Sequence, residues 1–303
     1  MLVNPVFSSI RLRSIPQVRQ VLEQAGITVQ QADTGPHRAA AIAARRAIES
    51  GIDAIIVCGG DGTVFDVLQG AAGSRTPIGI LPFGTGNVLV QNLGLPRNPV
   101  AAARALLEAT PISVPLGSIE CGAEHLYFAM SAGVGGHAAM MRAAYRYAKH
   151  RTGRLAYFAA GMEILATHPL ADFTMQLTTT SGELRTRRAS ELIAVRVAQL
   201  NLWRTGGGLQ QPSLRVASVE GASRLRLARA SFDSLVLQSG SRDKQPGTAA
   251  AIYEDAMSVR ITPSSTSQLA LQADGEIVAT VTAASPATIA MSQETAVFLS
   301  GKA

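Results

Sequence analysis

Along the first hundred residues, apolar positions alternate between short continuous runs and helically spaced sets. Ala54–Cys58 (Ala-Ile-Ile-Val-Cys) is a continuous run, the pattern of a strand buried on both faces. Ile78–Leu81 and the apolar start at Met1–Asn4 read the same way, and Ile27–Gln30 is a candidate second strand. Between these runs, Ile15, Val18, Val21 and Leu22 recur as one face of a helix over Ile15–Ala25. His37–Ser50 is alanine-rich and helical and stops at Gly51, a residue that tolerates the left-handed C-terminal turn. A further helix starts near Thr63. This alternation predicts a parallel sheet wrapped by helices, in which ligands bind beyond the carboxyl ends of the strands.

The pattern changes near residue 110. Pro111–Ile119 and Leu126–Ala129 read as strands, Ser131–Gly136 is a run of small residues, and His137–Lys149 and Arg154–His168 form a helical pair. Beyond Pro169 come short strand patterns at Thr174–Thr178, Glu191–Val197, Leu225–Ala230, Ser234–Gln238, Ser258–Thr262 and Leu269–Ala273. Glycine, proline and serine separate them, as in a β-sandwich or similar two-sheet domain. Gln238–Ala249 is the most linker-like stretch. The expected fold is therefore an α/β N-terminal domain with a parallel sheet over residues 1–118, followed by a β-rich, sandwich-like domain over 119–303 whose extreme C-terminus can return to the first.

Two glycine-rich segments lie at predicted strand ends. Gly59-Gly60-Asp61-Gly62-Thr63 follows the Ala54–Cys58 strand and opens a helix, so its backbone N–H groups and the positive helix end can face an anion. Leu81-Pro82-Phe83-Gly84-Thr85-Gly86-Asn87 repeats the arrangement one strand later, and the two could grip the ends of one phosphate chain. A carboxylate inside a phosphate cradle is unfavourable unless a cation bridges it or it faces a hydroxyl. The chain has only three lysines, Lys149, Lys244 and Lys302, none of them in either loop, and no Gly-x-x-x-x-Gly-Lys-Ser/Thr segment. Neutralisation is expected to come from Mg²⁺. Leu89 stands where a dinucleotide fingerprint needs its third glycine, which disfavours nicotinamide chemistry.

Composition narrows the class. With 47% hydrophobic and 16% charged residues the chain can build a large core. Only 5% of residues are aromatic, which argues against a nucleic-acid surface based on stacking. Most of the positive charge behind the net +6 is arginine, suited to phosphates and anionic headgroups. Cys58 and Cys121 make no disulfide framework, and the five histidines show no zinc-binding spacing. Asn4 and Pro5 interrupt the apolar start, so no signal peptide is expected, and no apolar run reaches the ~18 residues of a spanning helix. The expected location is cytoplasmic, or peripheral at the inner face of a membrane. Arg142, Arg146, Lys149, His150, Arg151 and Arg154, interspersed with Met141, Tyr145, Tyr147 and Leu155, form the stretch expected to touch such a surface.

Gly-Gly-Asp-Gly-Thr, followed about twenty residues later by Pro-Phe-Gly-Thr-Gly-Asn, resembles the diacylglycerol kinase catalytic-domain family, which includes sphingosine kinases and bacterial lipid kinases. Asn4-Pro5 is similar to that family's opening motif, Thr34 and His37 to a segment of its nucleotide site, Ser131–Gly136 to its crossing into the second domain, and Asp274-Gly275-Glu276 to its Asp-Gly-Glu motif. The resemblance implies an NAD-kinase/diacylglycerol-kinase-like fold with ATP and Mg²⁺ in the cleft between the domains and a lipid substrate taken from a membrane surface. By the same resemblance Asn4, Thr34, Gly59, Gly60, Gly62, Thr63, Gly84, Thr85, Gly86 and Asn87 would surround the nucleotide. Asp61 would join the metal and water network near the γ-phosphate, Asp274 would act as the base that orients the substrate hydroxyl, and Glu276 would serve beside it or on the metal.

Three positions depart from the family pattern. Val6-Phe7-Ser8-Ser9 follows Asn4-Pro5 where a glycine and basic residues are usual. Gly206-Gly207-Gly208 and Pro212 are present without the Asp-Asp-Gly that bacterial lipid kinases place after that proline and that would hold a structural Mg²⁺. Val134-Gly135-Gly136-His137 lacks the acidic residue often found at the crossing. Alternatives are a small-molecule kinase of the NAD-kinase type and a nucleotide-binding regulatory protein with weakened catalysis.

Overall fold

The structure is a computed structural model, and it describes residues 1–4, 13–35, 39–135, 172–200, 203–205, 207–221, 229, 251–264 and 267–301. The helical pair at 137–168 with its basic stretch, the strands expected at 225–230 and 234–238, the 238–249 linker, Pro5 and His37 lie outside the described residues. The chain forms two compact units, Met1–Leu116 with Ser292–Ala303, and Gly117–Met291.

In the first unit, β1 (Leu2–Val3), β2 (Ala32–Asp33), β3 (Ile55–Gly59) and β4 (Ile78–Pro82) run parallel in the order β2-β1-β3-β4. Ile55, Val57, Ile80 and Leu81 are all within 1% of full burial, as a continuous apolar run demands. Helices α1 (Ile15–Gln24), α2 (Ala39–Glu49), α3 (Asp61–Ala71), α4 (Val88–Asn92) and α5 (Pro99–Leu107) connect and flank the strands. The alanines of α2 allow a close approach to α3: a Cβ on Gly70 would lie 2.0 Å from the Ala41 carbonyl oxygen. Asn98 starts α5, its side chain accepting from the N–H groups of Val100 and Ala101, with Pro99 in the first turn where its missing N–H costs nothing.

The second strand falls later than the apolar residues suggest. Ile27–Gln30 is irregular and Ile27 is exposed, whereas Ala32–Asp33 pairs with β1. The cause is the end of α1, where Gly26 adopts φ 80° and the Gly26 and Ile27 N–H groups return to the carbonyls of Glu23 and Leu22. That closing turn occupies the residues just after the helix, so the chain meets the sheet edge several residues on.

The second unit is antiparallel. It contains β6 (Glu124–Phe128), β7 (Ser131–Val134), β8 (Phe173–Thr179), β9 (Leu184–Val195), β10 (Gln199–Leu200), β11 (Trp203–Arg204), β12 (Leu214–Glu220), β13 (Ile252–Pro263), β14 (Leu269–Ala273) and β15 (Glu276–Val281). β5 (Thr110–Cys121) enters it from the first unit, and β16 (Ala287–Ser300) leaves it to finish parallel to β4, Phe298 opposite Ile78. Pairings β8–β9, β9–β12, β12–β13 and β13–β8 close on themselves, which leaves no open edge in that ring. Along β8, Phe173, Met175 and Leu177 are buried and Gln176 is exposed, the period-two alternation of a half-buried strand.

The small-residue crossing is itself a strand. β7 inserts between β9 and β14, and it must be small there: a Cβ on Gly133 would lie 2.3 Å from the Leu192 carbonyl oxygen. Beyond it, β14 and β15 make a hairpin through Asp274-Gly275, with φ of 49° and 94°.

Candidate active site

The parallel order β2-β1-β3-β4 reverses direction between β1 and β3, the point where a sheet of this kind opens a crevice at its carboxyl edge. Asn4 follows β1, Thr34 follows β2, Gly59 ends β3 and Pro82 ends β4. All the candidate nucleotide residues therefore gather at one edge. The Asn4 side-chain amide donates to Thr63 Oγ1 at 2.9 Å, tying the end of β1 to the first turn of α3. The Thr34 N–H donates to the Val3 carbonyl at 2.9 Å.

The two glycine loops are in direct contact. A Cβ on Gly84 would lie 2.6 Å from Gly60 Cα, one on Gly86 would lie 2.8 Å from Asp61 Oδ2, and one on Gly59 would strike Thr63 at 2.5 Å. They form one body of backbone. Asn87 shapes the second loop: at φ 49° its side chain accepts from the Gly84 N–H at 3.1 Å and donates to the Gly84 carbonyl at 2.8 Å.

Asp61 joins the loops. Its Oδ1 accepts from the N–H groups of Val88 (3.0 Å) and Leu89 (3.4 Å), and Oδ2 lies 3.2 Å from the Val88 nitrogen. The carboxylate thus caps α4, while the cap of α3 is Gly60, which offers no side-chain acceptor to the amides of that helix's first turn. Burial pushes the Asp61 carboxyl up from the usual range, opposed by the backbone N–H donors of Val88, Leu89 and Asn87. Thr85, at the outer tip of the second loop, is exposed. Among the described residues no group of three His, Cys, Asp or Glu side chains could hold a metal ion.

In the second unit Asp274 is 6% exposed and anchors the entry to β7. Its Oδ2 accepts from the Ala129 N–H (2.9 Å), and its Oδ1 from those of Met130 (2.8 Å) and Ser131 (2.9 Å). Its own N–H donates to the Ser131 carbonyl at 2.8 Å. Glu276, two residues on, is exposed. Met130 links Asp274 to a buried cation, because its carbonyl accepts from the Arg196 N–H at 2.8 Å. The Arg196 guanidinium, fully buried, donates to the carbonyls of Leu209 (3.0 Å), Gln211 (2.9 Å) and Ser213 (3.3 Å). Burial lowers its pKa to about 10, against the opposing pull of the Asp274 charge.

Residues 1–119 match the family model of the diacylglycerol kinase catalytic domain. These residues are similar to the diacylglycerol kinase catalytic-domain family. The chain is 44% identical over 75 residues to a diacylglycerol kinase of Mycobacterium tuberculosis, covering 24% of each. It is 32% identical over 156 residues to one of Bacillus subtilis, covering 50% of each. The matched stretches thus span between a quarter and a half of these curated relatives' lengths. A crystal structure of a diacylglycerol kinase from Bacillus anthracis shares the fold along 99% of this chain and 95% of its own, with a TM-score of 0.66 at 17% identity.

Several residues around the kinase-family motifs are invisible to motif reading. Arg196 sits in an apolar run with nothing to mark it as a buried cation. Glu191, 7% exposed, sets its carboxylate where a Cβ on Gly135 would lie, 2.6 Å away, so a carboxylate from β9 reaches the crossing segment that carries none of its own. Gln272, buried near Asp274, also went unmarked, and Ser131 was read only as the start of the small-residue crossing. Register alone brings them there, and register depends on which strands pair.

Proposed function

We propose that this chain is an ATP- and Mg²⁺-dependent kinase that transfers a phosphoryl group to a hydroxyl of diacylglycerol or a related long-chain lipid alcohol. The observation that carries this reading is the pair of touching glycine loops at the switch point of a parallel sheet, within a segment matching the diacylglycerol kinase catalytic domain. Side chains at Gly59, Gly84 or Gly86 would collide with the loops themselves, so the close packing of the two loops requires glycine there, and glycine-rich loops at strand ends are the backbone type that phosphates approach closely.

Among the described residues the donor set suits a Mg²⁺ carried in on nucleotide phosphates with its waters, which needs one or two carboxylates, more than a resident all-protein ion. When bound, it would neutralise phosphate charge. The chain's own parts in this proposal are as follows. The first-turn amides of α3 receive phosphate oxygens, and the Asn4 side chain orients the Thr63 hydroxyl toward the same edge. Thr34 and Thr85 border the nucleotide. Asp61 keeps the two loops together and presents its charge to the hydrated cation. In the second unit Asp274, held by three backbone N–H groups, receives the acceptor hydroxyl, with Glu276 as the exposed acid beside it. Positioning of this kind supplies most of the catalysis in phosphoryl transfer.

The test is transfer of label from γ-labelled ATP to dioctanoylglycerol in mixed micelles, with and without EDTA, and with NAD as a competing acceptor. EDTA-sensitive labelling of the lipid is expected. Labelling of NAD alone, or nucleotide binding without transfer to any lipid, would overturn the proposal.

A further inference from the structure

Among the described residues, Ser131 Oγ and Gln272 Nε2 near Asp274 are buried polar atoms without a partner, as is Arg196 Nε. Ser131 and Gln272 are 0% and 1% exposed. Register puts these two on one face. Gln272 pairs with Gly133 and Ala273 with Ala132, so Ser131, Gly133 and Gln272 alternate onto the same side of β7 and β14, and the Asp274 N–H bonds the Ser131 carbonyl where the turn begins. Gly133 adds no side chain to this face and has no room for one.

The Gln272 carboxamide is oriented by the turn. Its Oε1 accepts from the Gly275 N–H at 3.1 Å, and the reverse orientation would set donor against donor. The end left over is Nε2, which can only donate. A hydroxyl and a donor-only amide, both buried and unmatched, destabilise a fold, and natural chains keep few such groups unless something binds them.

We propose that Ser131 and Gln272 form the acceptor subsite beside Asp274, binding a neutral oxygen next to the reacting hydroxyl of the lipid alcohol. This rests on the lipid-kinase reading above. The chemistry selects among lipid alcohols: an ester or hydroxyl oxygen, as on glycerol, offers the lone pairs that Gln272 Nε2 needs. An ammonium group at that place, as on a long-chain amino alcohol, presents donors to a donor and is rejected.

Two variants test this. Ser131→Ala removes an unmatched buried hydroxyl, so its urea midpoint is expected at or above that of the unsubstituted protein. Its KM for dioctanoylglycerol is expected to rise roughly 3- to 10-fold, the loss of one neutral hydrogen bond, with kcat changed less. Gln272→Glu keeps the acceptor for Gly275 and replaces the donor with an anion, so preference is expected to move toward a long-chain amino alcohol by about tenfold or more. Calorimetric binding of dioctanoylglycerol to nucleotide-free protein should weaken in both. If Ser131→Ala loses stability while KM and binding stay unchanged, the two atoms serve a buried water and the subsite is overturned. A protein that binds dioctanoylglycerol in a Ser131-dependent way yet phosphorylates no lipid would support the subsite and overturn the kinase reading. An active kinase indifferent to both substitutions would do the reverse.

Discussion

Asp274 lies in a hairpin turn at φ 49°, a conformation that glycine adopts without strain, and a turn residue of that kind ought to be replaceable by glycine at a gain of about 1 kcal/mol. The carboxylate predicts the opposite. It accepts three backbone N–H bonds of 2.8–2.9 Å at the entry to β7, and removing it orphans three buried donors while taking the counter-charge from the neighbourhood of the fully buried Arg196. At roughly 1–3 kcal/mol for each buried group left unmatched, Asp274→Gly is expected to lose at least 3 kcal/mol net of the turn gain. Asp274→Asn keeps Oδ1 for Met130 and Ser131 but turns an amide N–H toward the Ala129 N–H, and is expected to lose about 2–4 kcal/mol. Urea denaturation measures both, followed through Trp203, the chain's single tryptophan, which lies in the second unit and so reports on it. An Asp274→Gly variant as stable as the unsubstituted protein would refute the anchoring role and return Asp274 to an ordinary turn residue.

Three residues of the first unit offer further tests. Asp61→Asn is expected to stay within about 1 kcal/mol of the unsubstituted stability at neutral pH, because Oδ1 alone can serve Val88 and Leu89 and a buried charge is removed, while phosphoryl transfer is lost; full activity would take the charge out of the reaction. Since the folded-state pKa of Asp61 is raised, ionised Asp61 costs stability above the unfolded pKa and that cost fades as pH falls through the folded one, so pH-dependent unfolding of Asp61→Asn should lack this component. Asn87→Gly should retain the backbone at φ 49° and lose two hydrogen bonds, whereas Asn87→Ala also meets a left-handed penalty of about 1 kcal/mol; equal melting temperatures would contradict that strain. Cys58, its thiol pushed up to about 12 by burial against the weaker opposing charge of the N-terminus, should resist thiol reagents at neutral pH until the protein is unfolded, and rapid labelling of the native state would show that β3 is open to solvent.

Much of the first unit was legible in sequence because its signals are local. A continuous apolar run, a glycine loop and a helix-spaced segment each depend on a few neighbours, and β3, β4, α1 and α2 lie close to where those patterns set them. The order of motifs, from Gly59-Gly60-Asp61-Gly62-Thr63 to Asp274-Gly275-Glu276, carried the family resemblance in the same way. The sequence could also say that Asp61 was an odd charge for a phosphate cradle.

Only the tertiary structure decided what that charge touches. Asp61 reaches Val88 and Leu89, twenty-seven and twenty-eight residues away, and caps the helix after the other loop, so the two loops act as one piece. Strand pairing decided the second unit. Ser131-Ala132-Gly133-Val134 has no apolar alternation to announce a strand and becomes one because β9 and β14 close on either side of it. The same pairing brings Asp274 to amides 143 to 145 residues earlier and lines up Ser131 with Gln272. Motif spacing cannot encode such distances along the chain, because they are set by which strand edges find each other in the fold.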